Sequence, residues 1–561
     1  MKRLVAAWLG LALLLFSLAS PNIDNTDATV TMHAARALWL RGDSGLRTRE
    51  QGGEWPGEWF TAAFIRLKAS QGVRYYGKVG ANDLVYVWFP MGHLWLMVPA
   101  VAVGEALDAA FPGVEARFRE RVGPGSLSYR DGHRLFAQAV TALLPALFGA
   151  TSILLLFFVA RALGALPRDA LVSTAAIACA TQFFPLTREN LSDGPGLCFL
   201  LGALLATVRA WSGSASRMCL LAGGAAAGCA VLTRYAHGTL VPFLGLAIAI
   251  AALRRRRFTD VLWFLLGGLP CLGVLLLVNW LRYGDVTETG YPKADSWFNY
   301  PVWFGVTKIL IGAGKGILWF TPLLWLAVPL AIARRHSVRL GWLGWLAFTL
   351  SLLMFGATNG WQAGQCWGIR YVTPGIVLLL AIALPQLCPW RSHPRTFAAL
   401  LLVGLLVNLT GAIAPTRGEN QLAGQAVQAM YQREYDAGTI SQEDWDNLDA
   451  ADHFSFLPRF SPLHANWTYA ARSLGGDFED EQGRPRNGSN NTIEPLFGIT
   501  AVTPGQGLAP GYWEDRCGRH VWWVFWGDLL GVSPYLLVLP VVAAGALLLA
   551  AGLRRPILRQ P

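Results

Sequence analysis

Residues 254–291 read RRRRFTDVLWFLLGGLPCLGVLLLVNWLRYGDVTETGY, and the same pattern recurs along the chain. Four arginines come first, and a mostly apolar run occupies 258–281. The polar segment that follows begins at Asn279, within the last turn of this run. About 20 consecutive apolar residues are enough for a helix to cross a bilayer. Because Lys and Arg concentrate in cytoplasmic loops, this run is predicted to start in the cytoplasm and to end outside.

The composition extends this interpretation to the whole chain. Of 561 residues, 53% are hydrophobic and 14% are charged, and the mean hydropathy is +0.38; soluble domains carry about 25% charged residues. The chain is therefore predicted to be an all-α polytopic membrane protein. Cytoplasmic basic loops explain its net charge of +11, so nucleic acid is not an expected partner.

Basic clusters between the apolar runs define the predicted topology. With all of these clusters in the cytoplasm, the pattern gives about twelve transmembrane helices (11–13) and both chain ends inside. The predicted spans are 4–20, 135–160, 170–186, 195–210, 218–233, 238–253, 258–281, 317–333, 340–357, 372–389, 396–414 and 534–553.

The apolar run at 85–104 is left out of this count, because a crossing there would turn every later basic loop outwards. It is predicted to be a surface helix within a first external loop, 21–134. Residues 1–20 have the basic start and small-residue end of a cleavable signal peptide. An uncleaved first helix is favoured, since the later spans need an anchored partner.

Three regions follow from this topology. Residues 1–414 are predicted to form a transmembrane domain that includes the first external loop. Residues 415–533 are polar and rich in Asp, Asn, Gly and Trp, which predicts a small external (periplasmic) subdomain. Residues 534–561 are predicted to be the last transmembrane helix and a cytoplasmic tail.

Five segments of the predicted external loops resemble the motifs of one enzyme family. They are NTDATVTMHAARALWLRGD (25–43), RYYGKVGANDLVYVWFPMGHLWLMVPAVAVG (74–104), NWLRYGDVTETGY (279–291), WQAGQCWGIRYVTP (361–374) and SPLHANW (461–467). They resemble motifs of the polyprenyl-phosphate-dependent GT-C glycosyltransferases. The resemblance is closest to the bacterial branch related to protein O-mannosyltransferases and aminoarabinose transferases.

The resemblance implies a GT-C fold and a glycosyltransferase that transfers a hexosyl or pentosyl group. Its donor would be a polyprenyl-phosphate-linked sugar, and its acceptor a hydroxyl group of a protein, a lipid or a glycan, with inversion at the sugar. The active site is expected on the external face of a bacterial inner or plasma membrane.

Two other functions stay open. A transporter or lipid flippase without transferase activity is the main alternative; transporters tend to be built from inverted repeats, and no matching halves are found in this chain. A non-catalytic assembly protein that keeps the fold is the second.

Asp27 is the candidate catalytic base, and Asp24 is the reserve candidate. Inverting transfer needs a carboxylate that takes the proton of the acceptor hydroxyl. Spacing alone allows a plainer interpretation, because residues 28–41 have the apolar face of a helix and Gly42 is a plausible stop. Asp27 would then cap that helix by accepting backbone N–H bonds.

Four cations at the external ends of predicted spans are candidates for binding the donor phosphate: Arg370, Lys78, Arg282 and Lys315. Positive charge there would stabilise the leaving phosphate. Arg370 is favoured, because a guanidinium binds phosphate through two parallel hydrogen bonds and because it lies in the motif at 361–374. The alternative for each is a side chain that extends to the membrane interface.

Four residues are assigned to the second external loop or to acceptor binding: Glu189, Asp193, Arg234 and Tyr291. Glu189 and Asp193 do not form the closely spaced acidic pair that holds a divalent metal in oligosaccharyltransferase relatives. A metal with Asp27 as a further ligand is possible but not favoured, and no cofactor is assigned.

Other residues receive weaker interpretations. His93 is expected to be a hydrogen-bonded structural residue rather than a participant. Trp361 and Trp367, like Tyr291, are candidates for stacking on a sugar ring, but anchoring at the membrane interface is expected to explain most of the 24 tryptophans. Cys366 and Cys517 are both predicted to be external and would form a disulfide in an oxidising compartment if they are close.

Overall fold

Helices make up nearly all regular structure in the part of the chain that is described. The structure, a computed structural model, describes residues 2–20, 23, 25–122, 134–292, 294–364, 366–413, 431–432, 434–441, 461, 463 and 521–553. Asp24, Cys517 and most of the predicted subdomain 415–533 lie outside these residues. The predictions made for them therefore stay predictions.

The N-terminal part contains helices and one short hairpin. Its elements are α1 (Lys2–Phe16), α2 (Thr26–Arg41), α3 (Pro56–Ser70), β1 (Gly77–Val79), β2 (Val85–Val87), α4 (Met91–Ala110) and α5 (Pro112–Val122). The two strands are antiparallel, and Lys78 pairs with Tyr86.

The remaining described residues form helices α6 to α23. The first group is α6 (Leu135–Thr141), α7 (Leu144–Ala162), α8 (Pro167–Cys179), α9 (Phe183–Leu186), α10 (Asp193–Ser212), α11 (Arg217–Thr233), α12 (Val241–Arg255) and α13 (Thr259–Tyr283). The second group is α14 (Ala294–Trp297), α15 (Val302–Ile311), α16 (Ile317–Phe320), α17 (Leu324–Ala333), α18 (Gly341–Gly356), α19 (Thr373–Leu387), α20 (Pro389–Ser392), α21 (Pro394–Ile413), α22 (Trp522–Leu530) and α23 (Pro534–Leu553). Short 3-10 turns lie at Tyr235–Thr239, Arg335–Ser337 and Arg370–Val372.

Eight helical segments among the described residues are long and apolar enough to cross a membrane. They are 91–110, 135–162, 193–212, 235–255, 259–283, 370–387, 394–413 and 534–553, and four shorter apolar helices cover 217–233, 302–311, 324–333 and 341–356. The predicted all-α polytopic fold class is confirmed. The count of twelve spans stays a prediction, because several predicted spans contain only a short helix.

The helix α4 overlaps the run at 85–104 that was predicted to lie on the outer surface. By length and composition α4 is one of the eight segments that could cross a bilayer. It packs against α2 and α6, and Asp108 near its end accepts backbone N–H bonds from Phe136 and Ala137 in α6. Its surface placement stays a prediction.

The helix α15 was missed by the sequence analysis, which assigned the residues after Asn279 to an external loop. It packs closely on α18, since a Cβ added at Gly305 would lie 2.0 Å from the carbonyl oxygen of Gly356. The glycine contact lets this ten-residue, mostly apolar helix pack directly on the backbone of α18.

The core of the membrane domain surrounds α19. Nearly every residue of this helix is buried, and it packs against α18, α8 and α7. By contrast, α13 and α23 expose most of their apolar side chains. In a bilayer those surfaces face lipid tails, which are as apolar as leucine.

Glycines allow the most extensive helix pair, α11 with α13, to approach closely. A Cβ added at Gly224 would lie 1.9 Å from the carbonyl oxygen of Phe264, and one added at Gly267 would lie 2.0 Å from that of Leu221. Small residues at such contacts let backbones approach in membranes, where packing replaces the hydrophobic effect.

The two ends of the chain pack together in the same way. A Cβ added at Gly10 of α1 would lie 2.5 Å from the backbone nitrogen of Leu549 in α23. Trp522 of α22 stacks on Phe16 with ring centroids 4.7 Å apart, and its indole N–H donates to the Phe16 carbonyl. These contacts hold α1 within the membrane domain.

Several loops that were predicted to be cytoplasmic contact one another. Arg391 pairs with Asp169, and Trp390 donates to the same carboxylate at 3.0 Å. The backbone N–H of Arg339 donates to Gln386. The loops at 163–169, 334–341 and 386–393 therefore contain polar contacts that link adjacent spans.

Candidate active site

The start of α2 positions Asp27, and the cap of this helix is Asn25 rather than Asp27. The Asn25 side-chain oxygen accepts the backbone N–H of Asp27 at 2.9 Å, and Gly42 ends the helix in the left-handed conformation with φ 73°. Asp27 lies in the first helical turn. Its carboxylate is therefore not used as a cap and is directed to another partner.

That partner is Arg370, which lies 343 positions along the chain. The Arg370 Nη2 donates to the Asp27 Oδ2 at 2.7 Å, and its Nε donates to the carbonyl oxygen of Ala363 at 2.9 Å. The guanidinium is thus held by the loop on one side and by the carboxylate on the other.

A second carboxylate and a second arginine complete the cluster. Asp193, the first residue of α10, lies 3.6 Å from the Arg370 Nη1 and 2.6 Å from the Arg234 Nη1. Both guanidinium groups also lie over the ring of Tyr371, at 5.2 and 4.8 Å from its centroid. The cluster contains two acids and two arginines, so its formal charge is zero.

The charged side chains of this cluster differ in how much of their surface is exposed. The side chain of Asp27 is 23% exposed, that of Arg370 is 7% exposed, and that of Asp193 is fully buried. Asp27 is therefore the more accessible of the two carboxylates.

A cavity of about 360 Å³ adjoins the cluster. Polar lining residues include Asp27, Arg370, Arg234, Asn190 and His93; aromatic and apolar ones include Tyr235, Tyr291, Trp297, Met354 and Phe355. Ligand sites are commonly concave and mostly apolar, with a few convergent polar groups. This cavity has that composition.

Tyr291 forms a flat part of the cavity wall. Its ring stacks on Trp88 at 5.2 Å between centroids with 7° between planes. Burial raises the pKa of the Tyr291 phenol, so the hydroxyl stays protonated at neutral pH. A rigid ring with a protonated hydroxyl can contact both the C–H face and the hydroxyl groups of a sugar.

Three of the four predicted phosphate-binding cations are not among the residues that line this cavity. The ammonium of Lys78 binds Glu288 at 2.7 Å. Arg282 is buried and donates to Ser44 Oγ at 3.2 Å. Lys315 is buried and donates to the carbonyl oxygens of Gln362 and Gly364, so it holds the loop on which Arg370 is anchored.

The contact between Lys78 and Glu288 joins the β-hairpin to the loop that carries Tyr291. Arg74 binds the same carboxylate at 2.9 Å and donates to the Tyr291 carbonyl oxygen. Burial would raise the pKa of Glu288, but the hydrogen bonds from Lys78, the Gly290 backbone and Arg74 outweigh it and lower the pKa to about 2. The Glu288 carboxylate is therefore ionised while it binds Lys78 and Arg74.

Other predicted residues have structural contacts. Glu189 accepts the backbone N–H of Trp367 at 3.2 Å. Trp361 lies against the ammonium of Lys308, 5.0 Å from its ring centroid, and Trp367 packs on Phe320 at 4.9 Å. Neither tryptophan is among the residues that line this cavity, and their stacking on a sugar stays a prediction.

Cys366 is buried, and its thiol contacts the carbonyl oxygens of Ala363 and Gly368. Because Cys517 lies outside the described residues, the predicted disulfide stays a prediction. Within the part of the chain that is described, no three His, Cys, Asp or Glu side chains come close enough to hold a metal ion.

The sequence analysis favoured a structural role for His93 and did not single out Asn190, and both line the cavity. His93 lies in an apolar stretch, where a single histidine is the only signal, and polar groups inside a membrane domain often line cavities. No feature of the sequence distinguished Asn190 from its neighbours in the loop.

The sequence matches one known family over part of its length. Residues 133–280 match the family described as Dolichyl-phosphate-mannose-protein mannosyltransferase. No curated protein sequence matches the chain at a significant level.

Three solved structures that match the chain have low sequence identity and TM-scores below 0.5. ArnT from Cupriavidus metallidurans in the apo state gives a TM-score of 0.44 at 14% identity, covering 98% of this chain and 78% of ArnT. ArnT bound to undecaprenyl phosphate gives 0.44 at 14% identity, covering 99% and 77%. The Archaeoglobus fulgidus oligosaccharyltransferase, tethered with an acceptor peptide, gives 0.32 at 13% identity, covering 80% and 58%.

The family match lies between the loop motifs that contain Asp27 and Arg370. It covers α6 to most of α13 and so includes Asp193 and Arg234. The match over residues 133–280 confirms the predicted resemblance of this chain to the GT-C glycosyltransferases.

Proposed function

We propose that the protein transfers a sugar from a polyprenyl-phosphate carrier to a hydroxyl acceptor on the external face of the membrane, with inversion at the sugar. The observation that carries this proposal is the pairing of Asp27 with Arg370 at the wall of a cavity. A base and a cation in contact match the two needs of the reaction, which are to deprotonate the acceptor and to stabilise the leaving phosphate.

The reaction requires one displacement at the anomeric carbon. Asp27 takes the proton of the acceptor hydroxyl while the acceptor oxygen forms a bond to that carbon. The bond from the carbon to the phosphate oxygen breaks, and its electron pair stays on the phosphate. A single displacement inverts the configuration, and the products are the glycosylated acceptor and the carrier phosphate.

Arg370 and Arg234 stabilise the charge that develops on the phosphate. Preorganised cations act strongly in a site that excludes water, and both guanidinium groups are largely buried. Asp193 lies behind them and holds their orientation.

Arg370 donates to Oδ2 of Asp27, so the guanidinium proposed to bind the phosphate also binds the proposed base. The phosphate of the donor competes with Asp27 for the same guanidinium. When Arg370 turns to the phosphate, Asp27 becomes available to the acceptor. Binding of the donor therefore activates the base, and the proposal requires that the donor binds before the acceptor.

The test is a transfer assay with the purified protein in lipid nanodiscs. Undecaprenyl-phosphate sugars, radiolabelled in the sugar, are offered with acceptor lipids, peptides and glycans. Release of carrier phosphate and inverted products support the proposal. Movement of the carrier across the bilayer without release supports a flippase and would overturn it.

Arg370→Gln gives the specific variant for this assay. It removes the predicted phosphate contact, and release should fall by at least about 100-fold, as when a single preorganised donor is lost. Glu54→Gln is the matched control, because Glu54 is half exposed and pairs with Arg41 away from the cavity.

A further inference from the structure

The ring of His93 is a buried polar group whose nearest polar neighbour in the protein is the main chain of Asn190. His93 is 2% exposed and lines the cavity, and neither ring nitrogen has a hydrogen-bond partner of ordinary geometry among the described residues. Buried polar side chains nearly always have a partner, and leaving one without a partner is costly. A ring in this state next to a ligand cavity points to a ligand.

The surroundings of His93 are suited to hydroxyl groups. The Asn190 main chain and the carboxylates of Asp27 and Asp193 are the nearby polar groups that act on the ring. The Asn190 side chain donates one amide N–H to the Thr141 carbonyl oxygen at 3.0 Å. A neutral imidazole has one donor and one acceptor nitrogen, and a sugar hydroxyl can pair with either.

We propose that His93 binds a ring hydroxyl of the transferred sugar and so contributes to the choice of sugar. This inference rests on the proposed glycosyltransferase function. It extends that function by assigning a sugar-binding residue to a position that the loop motifs had left as structural.

The exposure of the neighbouring charges favours the sugar over the acceptor as the ligand of His93. Asp27 is 23% exposed, so the acceptor approaches from the water on its side. His93 is almost fully buried, like the side chain of Asp193. The deeper group therefore contacts the sugar, which must be enclosed with the phosphate for the displacement.

The stacked ring of Tyr291 supports this placement. It belongs to the same cavity lining as His93 and presents a flat aromatic surface. A sugar ring placed against it can direct its hydroxyl groups to the polar side chains of the cavity.

The test compares single-hydroxyl deletions in the sugar with deletion of the imidazole. First, the donor is identified as the undecaprenyl-phosphate sugar that the wild type consumes from a panel of hexoses, N-acetylhexosamines, pentoses and aminopentoses. Then the monodeoxy analogues of that sugar are assayed with the wild type, with His93→Phe and with His93→Gln. The measured quantities are kcat and KM for each donor.

For the wild type, removal of one particular hydroxyl should lower kcat/KM by about 10-fold, the size of one ordinary hydrogen bond. His93→Phe should lose about 10-fold with the parent sugar and nothing further with that deoxy analogue, as expected for two partners of one contact. His93→Gln, which keeps a donor and an acceptor, should recover part of the loss.

Two controls separate sugar binding from a structural role. Binding of undecaprenyl phosphate, which has no sugar, should be the same for His93→Phe and the wild type. His237→Gln changes another buried histidine that is not among the cavity-lining residues, and it should keep the wild-type response to every deoxy analogue.

Equal penalties for all deoxy sugars in the wild type and in His93→Phe would overturn the assignment of His93 and leave the proposed function intact. A parallel loss of undecaprenyl phosphate binding would also overturn it, since that result indicates a structural role. If the wild type consumes no carrier sugar at all, the proposed function fails, and this inference fails with it.

Discussion

Replacing Asp27 by Asn should affect catalysis and carrier binding in opposite directions. The substitution keeps the size of the side chain and the helix cap at Asn25. It removes the base, so kcat should fall by about 10²–10⁴-fold, the usual contribution of a positioned general base. It also removes the carboxylate that neutralises Arg370.

The size of the binding effect follows from the charges of the cluster. The wild-type site holds two acids and two arginines and is neutral, whereas the Asp27→Asn site carries one net positive charge. The phosphate of the carrier no longer has to replace a carboxylate on Arg370. A hydrogen bond to a charged group contributes about 1.5–3 kcal/mol, which corresponds to about 10- to 100-fold in affinity. Because Asp27 is 23% exposed, the lower figure is expected.

Two measurements on the same preparation test this expectation. Undecaprenyl phosphate binding is followed by tryptophan fluorescence in nanodiscs, and sugar transfer is followed by release of the carrier. Glu54→Gln, a carboxylate that pairs with Arg41, should change neither quantity. Unchanged or weaker binding to Asp27→Asn would refute the competition between phosphate and carboxylate, and near-normal transfer would refute the role of Asp27 as the base.

Three further predictions concern the supports of the site. Glu288 has a pKa of about 2, below its ordinary value of 4.5. Its contribution to stability is therefore complete above about pH 4.5 and is lost as the pH falls towards 2. Glu288→Gln should lower the midpoint of thermal unfolding at pH 7, and this midpoint should fall less steeply below pH 4.5 than that of the wild type. Asn25→Ala should cost about 1 kcal/mol of stability through loss of the cap of α2, measured by thermal unfolding in detergent. Gly224→Leu should prevent folding because its Cβ would lie 1.9 Å from a backbone oxygen of α13, whereas Gly273→Leu, where a Cβ meets nothing within 4 Å, should fold normally; similar yields of folded protein for both would contradict the packing argument.

The motif resemblance selected Asp27 and Arg370 for one pocket, and their roles as base and as phosphate-binding cation stay predictions. Asp27 and Arg370 came from two separate motifs, and the structure places their side chains 2.7 Å apart. The role of Asp27 as a cap was not correct, because Asn25 two positions earlier takes that hydrogen bond. Spacing alone cannot distinguish neighbouring polar residues that compete for the same backbone N–H.

The contacts made by the other three candidate phosphate-binding cations were less predictable from the sequence. Lys78, Arg282 and Lys315 have the charge that a phosphate needs and lie near predicted external ends, yet each binds a protein group in the structure. Whether a cation faces a ligand or a carboxylate depends on residues that are distant in the chain. No periodicity or charge count contains that information.

The order of residues was enough to establish an all-α membrane protein and the approximate ends of most helices, because apolar length, capping residues and basic clusters act over one or two dozen neighbouring residues. Which charges meet was settled by tertiary packing. Asp27, Asp193, Arg234 and Arg370 belong to four separate segments, and only the packing of α2, α10, α11 and the turn before α19 brings them into one cluster beside the cavity. Glycine contacts and buried ion pairs set that packing, and both depend on the distances between atoms that are remote in the sequence.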